Sequence, residues 1–313
     1  MSPLVLFSAL FLAPGESPRR ELPDDKTVKP IEVVVVPEYS EGIVFDHAGN
    51  AYISHGDTIT RITPAGKPST WAKTSAPNGH KILSDGTHLV CDGNAHAVLH
   101  LDAEGKQLEP AAKECAGKPL RAPNDLSLDT KHGGFYFTDP GNSDDKNPNG
   151  TVHYTDSHGT THLIAEGLAY PNGIVLRPDG KTLLVGESKK NRILAYPVLG
   201  PGRIGAMSVF ADLPAKTGDQ VDNQPDGMCL DTAGNLYVAH YGMHQVQVLS
   251  PEGKLIRRYP GGTLTTSNVA FGGPKMDQLY ITGGLSKEQG SKGALFRLEL
   301  PGAQGLVILP KKE

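Results

Sequence analysis

Three cysteines, one tryptophan and 6% aromatic residues are all that this chain of 313 residues carries of those types, and the scarcity closes off whole classes of protein. Cys91, Cys115 and Cys229 fall in no metal-ligand spacing and cannot all pair, so a disulfide framework is excluded. A single Cys91–Cys115 bridge stays open for an exported chain, beside the plainer reading of buried free thiols. With a formal charge of -4 and no run of Lys or Arg, nothing here tracks a phosphate backbone, and nucleic acid is not an expected partner. There is no G-x-S-x-G for a serine nucleophile, and the Gly-rich GGTLTTS at Gly261 lacks phosphate-loop spacing.

Long apolar runs are missing too. The run from Pro3 to Ala13 is too short to span a bilayer and sits where a secretory signal would sit, although no Lys or Arg precedes it. Residues 1–29 therefore read as an export signal followed by a flexible polar segment, and 30–313 as a single domain of a periplasmic or extracellular protein. Nowhere do apolar residues recur at the 3.6 spacing of a normal amphipathic helix.

What the chain has in quantity is turns, with 37 Gly and 25 Pro, and a repeat. Six times an Asp/Gly cluster is followed by an apolar, β-branched or aromatic run, as in DHAGNAYISHG from Asp46, DTKHGGFYFTDP from Asp129 and DTAGNLYVAHYG from Asp231. A second strand-like run follows each, and generally a further short one, so the unit is about four strands in about 45 residues. The fold class is all-β: a six-bladed β-propeller with four-stranded antiparallel blades, filling the chain from Ile31 to Leu309. A sandwich or barrel is the rival, disfavoured by a unit of this length repeated six times. Ring closure falls to IEVVVV from Ile31, placed beside LVIL from Leu306.

Ahead of each hairpin lies the strand that would line the axis: SEGIVFD, PNGHKIL, PNDLSLD, PNGIVLR, PDGMCLD and SNVAFGG. Their second positions are Glu41, Asn78, Asn124, Asn172, Asp226 and Asn268, all side-chain oxygen donors that a radial repeat brings to one depth. A local alternative exists for Asn78 and Asn268, whose side chains can bond their own backbone in an Asx turn. For the set, two carboxylates across a narrow channel repel unless a cation or a proton lies between them. One divalent ion meets that need, and calcium suits carboxylate and amide oxygens best; Mg²⁺, Mn²⁺, Fe²⁺ and Zn²⁺ stay open, Zn²⁺ without the His or Cys it favours.

These same segments, with YPNGIVLRPDGKTLLVGES and QPDGMCLD the fullest, resemble the regucalcin/gluconolactonase family of six-bladed propellers over nearly the whole chain. The resemblance implies metal ligation by Glu41, Asn172 and Asp226, a place for Asn124 near metal and substrate, and Asp226 as the general base. A substrate-contacting Arg that some members carry before the third-blade Asn is matched loosely by Arg121. The expected activity is metal-assisted hydrolysis of a small cyclic ester, a sugar lactone foremost, with the small-molecule ester as partner. An aryl-ester or phosphotriester hydrolase on the same ring, and a non-catalytic binding module with a structural cation, are the alternatives. Asn78 and Asn268 join the candidate substrate contacts, as does His80, which strand parity puts on the same side as Asn78. His240 reads equally as a mouth or a surface group, Asp139 and Glu187 as turn or rim residues, and Gly141–Gly150 and Thr217–Gln224 as loops over the ring.

Overall fold

Alternating β-branched and aromatic runs broken by Asp/Gly turns make hairpin-linked strands whose apolar faces need a neighbour on each side. In the computed structural model, which describes residues 21–306 apart from residue 289, these runs form six antiparallel blades arranged in chain order. The turns close as their composition implies: Asp46 accepts the N–H groups of Ala48 and Asn50, and Asp231 that of Asn235. Six apolar cores result, one in each interface between consecutive blades, such as Tyr52 and Ile59 against Val90 and Leu99, or Val36 and Leu295 against Ile43 and Ile53. That count fixes the six-bladed ring.

The innermost strands are Ser40–Phe45, Pro77–Ile82, Leu126–Asp129, Pro171–Leu176, Gln224–Leu230 and Thr265–Gly272. Blades 1, 3, 5 and 6 have four strands, but blade 2 has three, with an isolated bridge from Val98 to Ala112 where a fourth would lie. Residues 106–119 contain two prolines and no β-branched residue, which is poor material for a strand. Blade 4 adds the short strand Arg203–Ile204 to its four. Among the described residues the helical content is one 3-10 turn, Ser188–Lys190, and no helix is long and apolar enough to cross a membrane.

Ring closure corrects one expectation. Ile31–Val36 does supply the outer strand of the last blade, with Gly293–Glu299 as its partner, whereas Leu306, where the expected partner run begins, lies against a different core. After Glu299 the chain turns at Pro301 and Gly302 and leaves the sheet, so that Gly305 bridges Asp231 and Leu306 packs on the core between blades 4 and 5. Residues 307–309 lie outside the described residues, as does the apolar run from Pro3 to Ala13. The stretch just before the first strand departs from the expected flexible segment: Val28 is buried, and the carbonyls of Leu22 and Pro23 accept hydrogen bonds from Arg257 and Tyr259. All three cysteines are free thiols, which removes the Cys91–Cys115 bridge.

Candidate active site

The axial residues owe their aim to a break in the strand ladder. Pairing skips from Ser40 to Ile43, Pro77 to His80, Pro171 to Ile174 and Pro225 to Met228, so Glu41, Asn78, Asn172 and Asp226 each fall in an unpaired two-residue bulge. A bulge bends the strand and re-aims its side chain, here toward the axis. The second bulge residue is Gly each time, and adjacent inner strands pass so close there that no Cβ fits. A Cβ on Gly42 would overlap the Asn78 carbonyl, one on Gly173 the Asp226 carbonyl, and one on Gly227 the Asn268 side chain. Hydroxyl groups then clasp blade to blade at the same level. Ser54 donates to the Asn78 carbonyl (2.9 Å), Thr138 to that of Asn172 (2.8 Å), Ser188 to that of Pro225 (2.6 Å) and Ser267 to that of Ser40 (2.6 Å).

Glu41, Asn78, Asn124, Asn172 and Asp226 thereby share the wall of one cavity of about 560 Å³ at the end of the axis, within the range of small-molecule sites. Two acceptors there, Glu41 Oε2 and Asn124 Oδ1, are buried with no hydrogen-bond partner, an arrangement that costs free energy unless something outside the chain satisfies it. Burial pushes the Glu41 carboxyl up to about 8, against a hydrogen bond from Tyr39 and with help from the Asp125 charge. Asp226 is pushed well above the usual carboxylate range by burial first and by Glu41 second, while hydrogen bonds from Asn172 and the Gly227 N–H pull the other way. Asp125, beside Asn124, is buried as well and has Lys81 Nζ at 4.0 Å. Among the described residues no three of His, Cys, Asp or Glu cluster closely enough to make a metal site alone, so a cation here would draw on the amides beside the two carboxylates.

Three residues expected at the site from the sequence, Arg121, His80 and Asn268, do not line this cavity. Arg121 is committed to blade 3: its guanidinium donates to the Asp139 carbonyl (2.9 Å), Thr151 Oγ1 (3.1 Å) and Asn149 Oδ1 (3.0 Å). His80 is wholly buried between blades, Nε2 at 2.8 Å from His88 Nδ1 and its ring near Trp71 and Tyr52; the bulge between Pro77 and His80 cancels the parity that placed it beside Asn78. The Asn268 amide oxygen accepts its own strand's Val269 N–H (2.9 Å) and its side chain covers Gly227, the local alternative visible in the sequence. His240 is buried against Asn191 and Gln247. Asp139 and Glu187 are not rim groups but buried carboxylates that accept backbone N–H groups of Arg121, Ala122 and Ala169 ahead of the inner strands.

Sequence reasoning missed the cavity's aromatic side: Tyr39, Tyr170 and Tyr241. The signal was available, because Tyr39, Tyr170 and Gln224 all stand two positions before an axial residue and all line the mouth. Of the two loops expected over the ring, Asp222 and Gln224 of the second take part; in place of Gly141–Gly150 the cavity meets Ser286, Lys287 and Ser291.

A ring of axial oxygen donors under an open mouth, on six radial blades, defines a propeller built to hold a small polar ligand at its axis. The family model described as SMP-30/Gluconolactonase/LRE-like region matches residues 39–284, and the chain belongs to that family. A gluconolactonase of Zymomonas mobilis is 31% identical over 287 residues, covering 81% of this chain and 78% of its own. Lactonase drp35 of Staphylococcus saprophyticus is 31% identical over 294 residues, 86% of each chain. The solved structure of a calcium-binding protein, regucalcin, from Agrobacterium tumefaciens shares the fold with a TM-score of 0.73 at 21% identity, over 90% of this chain and 96% of that one.

Proposed function

We propose that the protein is a metal-dependent hydrolase that opens a small lactone in the axial cavity, with Glu41, Asn124, Asn172 and Asp226 holding one divalent cation, calcium in the first instance. The chain is an ester-hydrolysing enzyme of its family, with relatives named gluconolactonase and lactonase. One observation carries the reading: two buried acceptors without partners, on Glu41 and Asn124, share a cavity with two carboxyl groups whose charged forms burial disfavours, that of Asp226 further disfavoured by the Glu41 charge. A hard cation with a loose shell of oxygen ligands answers both needs at once, and the donor set fits it. When bound, such an ion supplies Lewis-acid polarisation of the ester carbonyl.

The chain's own groups supply the rest. Asn172 and the Gly227 N–H fix the Asp226 carboxylate in one orientation. Asp226 takes a proton from the water that attacks the carbonyl carbon; as the ring C–O bond breaks, the leaving alkoxide receives that proton, giving the open hydroxy acid. Asn78 and Gln224, with Lys189, line the approach with donors and acceptors that suit a hydroxylated substrate. The test is hydrolysis of δ-gluconolactone, γ-butyrolactone and an aryl ester by chelator-stripped protein, before and after adding Ca²⁺, Mn²⁺ or Zn²⁺. Turnover restored by metal supports the reading. Lactone turnover unchanged by stripping, or none with any metal, overturns it.

A further inference from the structure

Tyr170 holds a backbone conformation that its side chain does not favour. Its φ is 59°, in the left-handed region that Gly and Asn tolerate and a bulky residue adopts only under strain. Among the described residues six non-glycine positions have positive φ, and of these Tyr170 alone lines the axial cavity. None of the equivalent positions two before the other axial residues shares it.

The surroundings over-determine the strained geometry. The Tyr170 N–H donates to Ser143 Oγ (3.0 Å), and its carbonyl accepts the Ser188 N–H (3.0 Å). The preceding Ala169 is tied at both ends, its N–H to Glu187 Oε1 (2.9 Å) and its carbonyl to the Lys189 N–H (3.2 Å). Glu187 is itself wholly buried and fixed by Arg192 at 2.6 Å. The Lys189 ammonium stands over the Tyr170 ring, 5.6 Å from its centroid, and both groups face the cavity. Core packing alone does not call for this, since Tyr170 is only partly buried and belongs to none of the six apolar cores.

We propose that Tyr170 is the platform on which the carbon ring of a sugar lactone lies, with Lys189 beside it as donor to the ring's hydroxyl groups. The inference rests on the lactonase reading and narrows it: an aromatic face gives area to the C–H side of a six-membered ring and little to a small unsubstituted lactone. The strain is the cost of setting that face two residues from Asn172, where the reacting ester must sit.

Steady-state kinetics on δ-gluconolactone and γ-butyrolactone, with Tm measured alongside, test it in two variants. Tyr170→Asn suits φ 59° and removes the ring; it is expected to raise KM for δ-gluconolactone about tenfold with kcat held within about twofold, and to move KM for γ-butyrolactone less than about threefold. Its Tm stays within about 4 °C of wild type. Tyr170→Phe keeps the platform and both KM values. Equal KM changes for the two lactones, a Phe variant that behaves like Asn, or an Asn variant that fails to fold each overturn the platform. Wild-type protein that opens neither lactone overturns the functional reading and the platform with it, an outcome told apart by the wild-type rates alone.

Discussion

A methyl group on Gly173 has nowhere to go, because the Asp226 carbonyl of the next blade occupies its place. Gly173→Ala is expected to cost on the order of 2–3 kcal/mol in urea unfolding and to lower metal affinity, since the displaced backbone carries an axial carboxylate. Glu41 gives a prediction of opposite sign. Its folded pKa, about 8, lies above the unfolded value of 4.5, so its contribution is complete below pH 4.5 and is lost as pH rises through 8. Metal-free protein should therefore weaken between pH 5 and 8, and metal-free Glu41→Gln should be more stable than metal-free wild type at pH 8, on the order of 1–3 kcal/mol. Urea titrations at both pH values check this; a metal-free Glu41→Gln protein weaker than wild type contradicts the buried, repelled carboxylate. The five axial positions that line the cavity were legible in the sequence, because the repeat aligns them without gaps; Asn268, aligned with them, bonds its own strand instead. The tyrosines were harder to read: Tyr39 and Tyr170 keep a fixed spacing before an axial residue, but a ring beside a turn reads like any other strand-end aromatic until the mouth is assembled.

Strand parity locates side chains only while the ladder is continuous. His80 sits two residues after Asn78 and by period two should share its face, yet the bulge between them turns it into the layer between blades. The bulges leave a mark in sequence, the E-G, N-G and D-G pairs, but such pairs also mark ordinary turns. The hydroxyl clasps belong to the same level. Thr138 lies in the second strand of blade 3 and donates to the Asn172 carbonyl in blade 4, a contact that no spacing within either blade announces. Thr138→Val keeps the shape and removes the donor; it is expected to cost about 1–3 kcal/mol in chemical unfolding and to weaken metal binding without abolishing it. Retained stability with unchanged metal affinity would show that the clasp is not what fixes Asn172.

Over the whole molecule the repeat made the ring legible, while its closure depended on how the last strands pair. Ile31–Val36 was visible as a spare strand; its register against Gly293–Glu299 was not, since two apolar runs near the C-terminus offered equivalent partners. Among the described residues five buried imidazoles are distributed among the blades, and burial lowers the pKa of each, His55 included. Burial holds His88, His153 and His240 at about 4 and His80 well below its ordinary value. A histidine with a depressed folded pKa contributes stability that is complete above 6.5 and is lost as pH falls toward 4. Metal-loaded protein should therefore lose unfolding free energy steadily from pH 6.5 to 4, and His88→Gln should flatten that slope; a slope unaltered in the variant contradicts it.

Both the chemistry and the stability of this propeller turn on whether the axial oxygens of Glu41, Asn124, Asn172 and Asp226 form one cation site. Calorimetric titration of chelator-stripped protein with Ca²⁺, compared across wild type, Glu41→Gln and Asp226→Asn, answers that. One ion per wild-type chain is expected, with about 2.7 kcal/mol of added stability at a hundredfold excess over Kd, and binding lost or greatly weakened in either variant. Equal calcium binding by wild type and both variants would place the ion elsewhere and refute the axial site.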